Sequence, residues 1–158
     1  MKLPNTLRSG KLIKRYKRFF ADIDYENNTI TAHCPNPGSM TGLCTPGQYV
    51  LLSLSDNKKR KLPYTLEFVK SNNDWVGVNT QYPNKIVKEA LKNKIIPGLN
   101  EYTSIQSEFK FHEGVRFDFL LKGADLKPCI IEVKNVQLRR DLSRKVGVAE
   151  FPDSVTER

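Results

Sequence analysis

The first 80 or so residues are cut at short intervals by turn signals, and this limits what they can fold into. Asn27-Asn28, Pro46-Gly47, Asp56-Asn57 and Asn72-Asn73-Asp74 punctuate the run. Between them lie short stretches rich in β-branched and aromatic residues, which read as strands. Lys11 to Tyr25 is long enough for one bent strand or two. Thr29–His33, Tyr49–Leu54, Leu62 to Val69 and Trp75–Val78 follow. Around five strands in this length suggest a small closed barrel, and the OB-fold is the commonest fit. Cys34-Pro35-Asn36-Pro37-Gly38-Ser39-Met40 breaks the series, because two prolines and a glycine force a shaped loop.

Near residue 80 the period changes. Ile86, Val87, Ala90 and Leu91 recur at helical spacing, with Asn84 in position to cap the start and Pro97-Gly98 to stop the chain. Three strand candidates come next: Ile105 to Phe111, Val115 to Leu121 and Cys129 to Val136. His112-Glu113-Gly114 turns between the first two. The expectation is a mixed α+β or α/β chain of two modules, residues 1–80 and 81–158.

The second module carries the chemistry. Asp118 is followed fourteen residues later by Glu132-Val133-Lys134, both inside apolar, strand-like runs. Side chains alternate along a strand, so Glu132 and Lys134 are expected on one face. If the runs pair, two carboxylates and an ammonium meet at one spot. Phosphodiester hydrolysis needs charge neutralised on a phosphate and a water made nucleophilic. Mg²⁺ or Mn²⁺ does both and takes hard oxygen ligands. Asp118, Glu132 and the Val133 carbonyl are the candidate ligands. Lys134 is the candidate catalytic cation. A third carboxylate would come from Glu108 on the preceding strand or Glu89 on the helix. Arg116 shares a face with Asp118 and is placed to bind a phosphate or to lock the carboxylate.

The charge balance fits a polyanionic partner. Against 17 Asp and Glu the chain has 26 Lys and Arg, a net +9. Residues 1–20 hold no acid, and Tyr16, Phe19 and Phe20 lie among Lys11, Lys14, Arg15, Lys17 and Arg18. These cations, with Asn36, Gly38 and Ser39 of the shaped loop, form the candidate face for double- or single-stranded DNA. Lys58-Lys59-Arg60-Lys61 reads as a solvated hairpin tip. Three cysteines without secretory context argue against a disulfide framework, and His33, Cys34 and Cys44 lack the paired spacing of structural zinc. No apolar run approaches the roughly 20 residues that span a bilayer, and Met1-Lys2-Leu3-Pro4 opens no signal-peptide core, so a cytoplasmic protein without membrane contact is expected.

The chain resembles the sugar fermentation stimulation protein A family over nearly all its length. The resemblance is carried by Asn36–Met40, by Trp75-Val76-Gly77-Val78-Asn79-Thr80, by Arg116–Leu121, by Glu132–Val136 and by Phe151-Pro152-Asp153-Ser154-Val155-Thr156-Glu157-Arg158. It implies an OB-like domain followed by a restriction-endonuclease-like αβββ core of the PD-(D/E)xK superfamily, with Asp118, Glu132 and Lys134 at the motif positions. Superfamily position favours Glu89 as the added glutamate, whereas the family's local sequence favours Glu108. The family is described as DNA-binding, is linked by name to sugar fermentation and maltose metabolism, and has been given a transcriptional-regulator role. Its members continue past the Thr-Glu-Arg block with a glycine, a Lys-His-Leu segment and further secondary structure. On that comparison either the core here is expected to be truncated, without its last helix and strand, or a tail beyond Arg158 is left out. The Phe151–Arg158 block reads either as a loop near metal or DNA or as a helix cap at Asp153.

Overall fold

The computed structural model describes residues 1–4 and 6–137; the Phe151–Arg158 block lies outside them. Two compact units are present. One holds Lys2–Thr80 and the chain where it returns at Val136, and the other holds Gln81–Asn135 with Met1.

The first unit is a closed barrel of β1 (Leu7–Tyr16), β2 (Phe20–Tyr25), β3 (Asn28–His33), β4 (Tyr49–Leu54) and β5 (Tyr64–Ser71), with β6 (Asp74–Gly77) added on β5. β1 pairs antiparallel with β2 and β4, β4 with β5, and a parallel bridge of His33 to Thr65 closes β3 on β5. This is OB connectivity. The long run from Lys11 to Tyr25 is therefore two strands. Lys17 and Arg18 turn between them with φ of 47° and 63°. The next hairpin turns at Glu26-Asn27, one residue earlier than the sequence signal, with φ of 52° and 62°. Positive φ at both central residues is what a tight two-residue hairpin requires.

Inward positions of the five strands form the core, from Leu12, Ile23 and Ala32 to Val50, Leu52, Leu66 and Val69. A bulge between Leu12 and Lys14 re-aims β1 and sets Lys14 opposite Asp22, where the two charges lie 3.6 Å apart. Gly10 is required by close approach: a Cβ there would meet Ile23 Cγ2 at 2.6 Å and the Asp24 carbonyl at 2.9 Å.

The second unit is α1 (Tyr82–Lys92) and an antiparallel meander of β7 (Ser104–His112), β8 (Val115–Lys122) and β9 (Cys129–Ile131). α1 begins two residues before the expected cap. Gln81 is the N-cap and Pro83 sits in the first turn, so Asn84 is inside the helix and its side chain is free for another use. The helix ends before Pro97-Gly98. Lys94 takes φ 56°, and Lys94 N–H and Ile95 N–H donate to Leu91 and Ala90 carbonyls at 3.1 and 3.2 Å, a Schellman closure. β9 is also shorter than the apolar run predicts, stopping at Ile131. Leu91, Phe119 and Leu121 are the buried centre of this unit.

Candidate functional site

The meander brings Asp118 and Glu132 level. Phe119 pairs with Ile131 and Leu120 with Ile130, so the next step of the register sets Asp118 opposite Glu132. The ladder does not continue there because Val133 N–H turns to the Asp118 side chain, donating to Oδ2 at 2.7 Å. Asn84 Nδ2, from the first turn of α1, donates to Oδ1 at 2.6 Å. Both oxygens of this half-buried carboxylate thus have a neutral donor. Each oxygen keeps a second lone pair. Lys134 Nζ lies 2.7 Å from Glu132 Oε1, and both side chains are about half exposed, at 49% and 45%.

Glu108 and Glu89 do not join them. The register places Ser107 opposite Phe119 and Phe109 opposite Phe117, which sets Glu108 level with Asp118. However, Glu108 has φ 53°, and its exposed carboxylate is held 3.2 Å from Arg116 Nη1. Arg116 is therefore paired with Glu108 across the strands. Glu89 pairs with the Met1 ammonium. Among the described residues no three His, Cys, Asp or Glu side chains converge on one point. Of the five candidate catalytic residues, Asp118 on β8 is tied by the Val133 bond to the segment just past β9 that carries Glu132 and Lys134.

The candidate DNA face divides in two. Lys11, Lys14, Lys17, Arg18 and Ser39 are exposed. Arg15 is turned inward on the shaped loop: Nη2 donates to the carbonyls of Asn36, Gly38 and Arg18 at 2.7, 2.8 and 2.9 Å. Asn36 is buried, and its Nδ2 donates to the Val78 carbonyl at 3.1 Å and to Gln137 Oε1 at 2.9 Å. Its Oδ1 accepts from Gly38 N–H at 2.9 Å. These three residues hold the loop's shape. Beneath the loop, burial pushes the Cys34 thiol up, with Arg15 pulling the other way, and Cys34 Sγ–H donates to Met40 Sδ at 3.6 Å.

Two features escaped the sequence pattern. Asn84 reads as a cap until Pro83 is placed in the helix. The cluster Lys58–Lys61, read as a hairpin tip, borders a pocket of about 410 Å³ lined by Phe20, His33, Arg60, Lys61 and Leu62. The aromatic residues among the amino-terminal cations were the available signal.

An OB-type barrel followed by a helix and an antiparallel meander carrying Asp, then Glu-x-Lys, is an OB domain joined to a restriction-endonuclease-like core. The chain belongs to the sugar fermentation stimulation protein family. Residues 13–78 match the SfsA N-terminal OB domain, and residues 81–158 match the sugar fermentation stimulation protein RE domain. It is 49% identical to a sugar fermentation stimulation protein homolog of Caulobacter vibrioides, over all of this chain and 65% of that one. To the homologs of Maricaulis maris and Geobacter sulfurreducens it is 47% and 48% identical, over all of this chain and 66% of each. The chain thus spans about two thirds of the length of these relatives, between 65% and 66%. The solved structure of Pyrococcus furiosus SfsA in complex with Ca²⁺ superposes with a TM-score of 0.79, covering 97% of this chain and 62% of that one at 20% identity. No helix of the described residues is long and apolar enough to cross a membrane.

Proposed function

We propose that the chain binds DNA and carries a metal-dependent phosphodiester hydrolase site at Asp118, Glu132 and Lys134. The observation that carries this reading is the Val133 N–H to Asp118 bond, which ties Asp118 to the Glu-x-Lys segment. The donor set suits a hard cation: two carboxylates and the Val133 carbonyl are oxygen ligands. Mg²⁺ keeps several waters and needs few protein ligands, so two acids suffice. The Ca²⁺ complex of the Pyrococcus relative supports a divalent ion here.

Asp118 and Glu132 would hold the ion, with the Val133 carbonyl completing the set. A bound divalent cation supplies charge neutralisation at a phosphate and acidifies a water. Asn84 and Val133 N–H fix how the Asp118 carboxylate is presented. Lys134 gives a point charge that stabilises the developing negative charge or holds a water. Glu108 is level with Asp118 in the register but is engaged by Arg116, and Glu89 is engaged by Met1, so the proposed site takes its two acids from Asp118 and Glu132. In the first unit Lys11, Lys14, Lys17, Arg18 and Ser39 contact the DNA backbone and Arg15, Asn36 and Gly38 shape the loop; in the second unit Arg116 contacts a phosphate.

A second reading is a DNA-binding regulator that does not cut. The Lys134–Glu132 pair favours it, because one of the two acids already has a cation partner. The test is incubation of the purified chain with plasmid and single-stranded DNA in Mg²⁺ or Mn²⁺, beside Lys134→Ala. Cleavage reduced about 100-fold or more by Lys134→Ala, with DNA retardation unchanged, is the expected result. Retardation without any cut product establishes the regulator instead. An affinity independent of salt removes nucleic acid from both.

A further inference from the structure

The barrel has a weak point at its seam. β3 and β5 share a single bridge, His33 to Thr65, and beyond it the sheet opens. One wall of the opening is Phe20 and His33, paired at the ends of β2 and β3. The other is the β4–β5 loop, closed at its base by Ser55 N–H to the Pro63 carbonyl at 2.9 Å. Asn57 orders that loop, its Oδ1 accepting from Lys59 N–H at 3.0 Å and its carbonyl from Arg60 N–H at 3.0 Å. The pocket of about 410 Å³ lies between these walls, lined by Phe20, His33, Arg60, Lys61 and Leu62. Small-molecule sites have volumes of roughly 300–1,000 Å³.

The lining combines a flat apolar surface with fixed positive charge. The Phe20 ring is backed by Tyr16, with centroids 5.5 Å apart and planes within 15°. Arg60 is held by His33, Nη2 to Nδ1 at 3.2 Å. Arginine only donates, so Nδ1 is the acceptor and the imidazole proton sits on Nε2. The loop carries Asp56 against Lys58, Lys59, Arg60 and Lys61. The buried carboxylate near His33, Glu67, is taken up by Ser53 Oγ at 2.5 Å and Asn79 Nδ2 at 2.8 Å.

We propose that this pocket takes one unpaired nucleotide of a DNA strand, its base against Phe20 and Leu62 and its phosphate on Arg60 and Lys61. A duplex keeps its bases stacked and offers a recess only phosphate. A single strand can turn one base in and gain stacking on the ring. The proposal rests on the DNA-binding reading above and assigns the strand state and the subsite.

The test is fluorescence anisotropy with labelled (dT)12 and a 12-bp duplex on the full chain, with Phe20→Leu and Arg60→Gln. Circular dichroism establishes that both variants are folded. Phe20→Leu is expected to weaken (dT)12 binding roughly tenfold with the salt slope unchanged. Arg60→Gln is expected to weaken it comparably and to reduce the slope by about 0.7. Duplex affinity stays within about twofold for Phe20→Leu. Wild-type binding of (dT)12 with neither variant altering it overturns the subsite and leaves DNA binding standing. Equal losses on duplex and single strand overturn the unpaired base in favour of a backbone contact. Displacement of (dT)12 by inorganic phosphate as effectively as by thymidine 5′-monophosphate assigns the pocket to free phosphate and overturns the nucleotide. No binding to either DNA removes the proposal together with the reading beneath it.

Discussion

Among the described residues, thirteen apolar side chains are buried in the barrel core, whereas the helix and meander bury Leu91, Phe119 and Leu121 at their shared centre and leave eight apolar neighbours half covered. Closure makes the difference. In the barrel each inward side chain has strands on every side. In the meander β7 and β9 each pair on one side only among the described residues. The two regions also treat a carboxylate differently. Glu67 is sealed in the barrel, 2% exposed, with both oxygens bonded to side chains. Asp118 is half-buried and sits beside two half-exposed charges, Glu132 and Lys134. An acid costs energy to bury unless it is satisfied, and both are. The barrel uses its acid to hold strands together, while the meander presents its acid beside other charges.

Core truncations test this contrast most strongly. Leu52→Ala removes a fully buried side chain from a closed core and is expected to cost about 3–4 kcal/mol. Leu91→Ala in the second unit has half-covered neighbours that can relax into the space, so about 2 kcal/mol is expected. Urea unfolding reads both. The single tryptophan, Trp75, sits on β6 and reports the barrel, and ellipticity at 222 nm reports α1. Equal losses would erase the distinction drawn from closure.

The hydrogen-bonded carboxylates come next. Asn79→Ala leaves Glu67 Oε2 buried without its Asn79 donor, and about 2 kcal/mol of destabilisation is expected. Asn84→Ala removes a donor from Asp118 where solvent can replace it, so the cost falls to about 1 kcal/mol. Its larger expected effect is on presentation of the carboxylate: a several-fold weaker Mn²⁺ affinity by titration calorimetry. An Asn84→Ala chain with wild-type Mn²⁺ affinity would make that bond purely structural.

The barrel was legible because its signals are local. Turn residues and alternation lie within each hairpin, and β4 from Tyr49 to Leu54 is where the pattern puts it. The failures involve bonds that cross elements. The alternating run after Ile131 reads as strand, yet Val133 N–H is diverted to Asp118 and the ladder stops. Arg15 reads as one cation of a DNA-facing row, yet its guanidinium reaches 21 to 24 residues along the chain to the carbonyls of Asn36, Gly38 and Ser39. The seam pocket depends on β3 meeting β5 in parallel, which no periodicity encodes. In the second unit, the pairing of Asp118 with the Glu-x-Lys segment followed from strand order. The separate engagements of Glu108 with Arg116 and of Glu89 with Met1 did not.

The smallest expected effect lies at the seam and concerns pH. His33 is pushed below its usual value of 6.5, first by burial and then by the charge of Arg60, with Glu67 opposing. The groups around it are thus a cation on the β4–β5 loop and a buried acid on β5. A histidine whose folded value is depressed binds its proton more readily when unfolded. Its contribution to stability is fully present above the unfolded value near 6.5 and is lost as pH falls through the folded value. Urea midpoints should therefore fall between pH 7.5 and pH 5.5 by more in the wild type than in His33→Gln. Lys61→Gln, on the same loop but without the Arg60 contact, should keep the wild-type slope. Parallel wild-type and His33→Gln curves would mean that the imidazole has the same proton affinity folded and unfolded. The barrel would then accept charge at its seam as readily as water does.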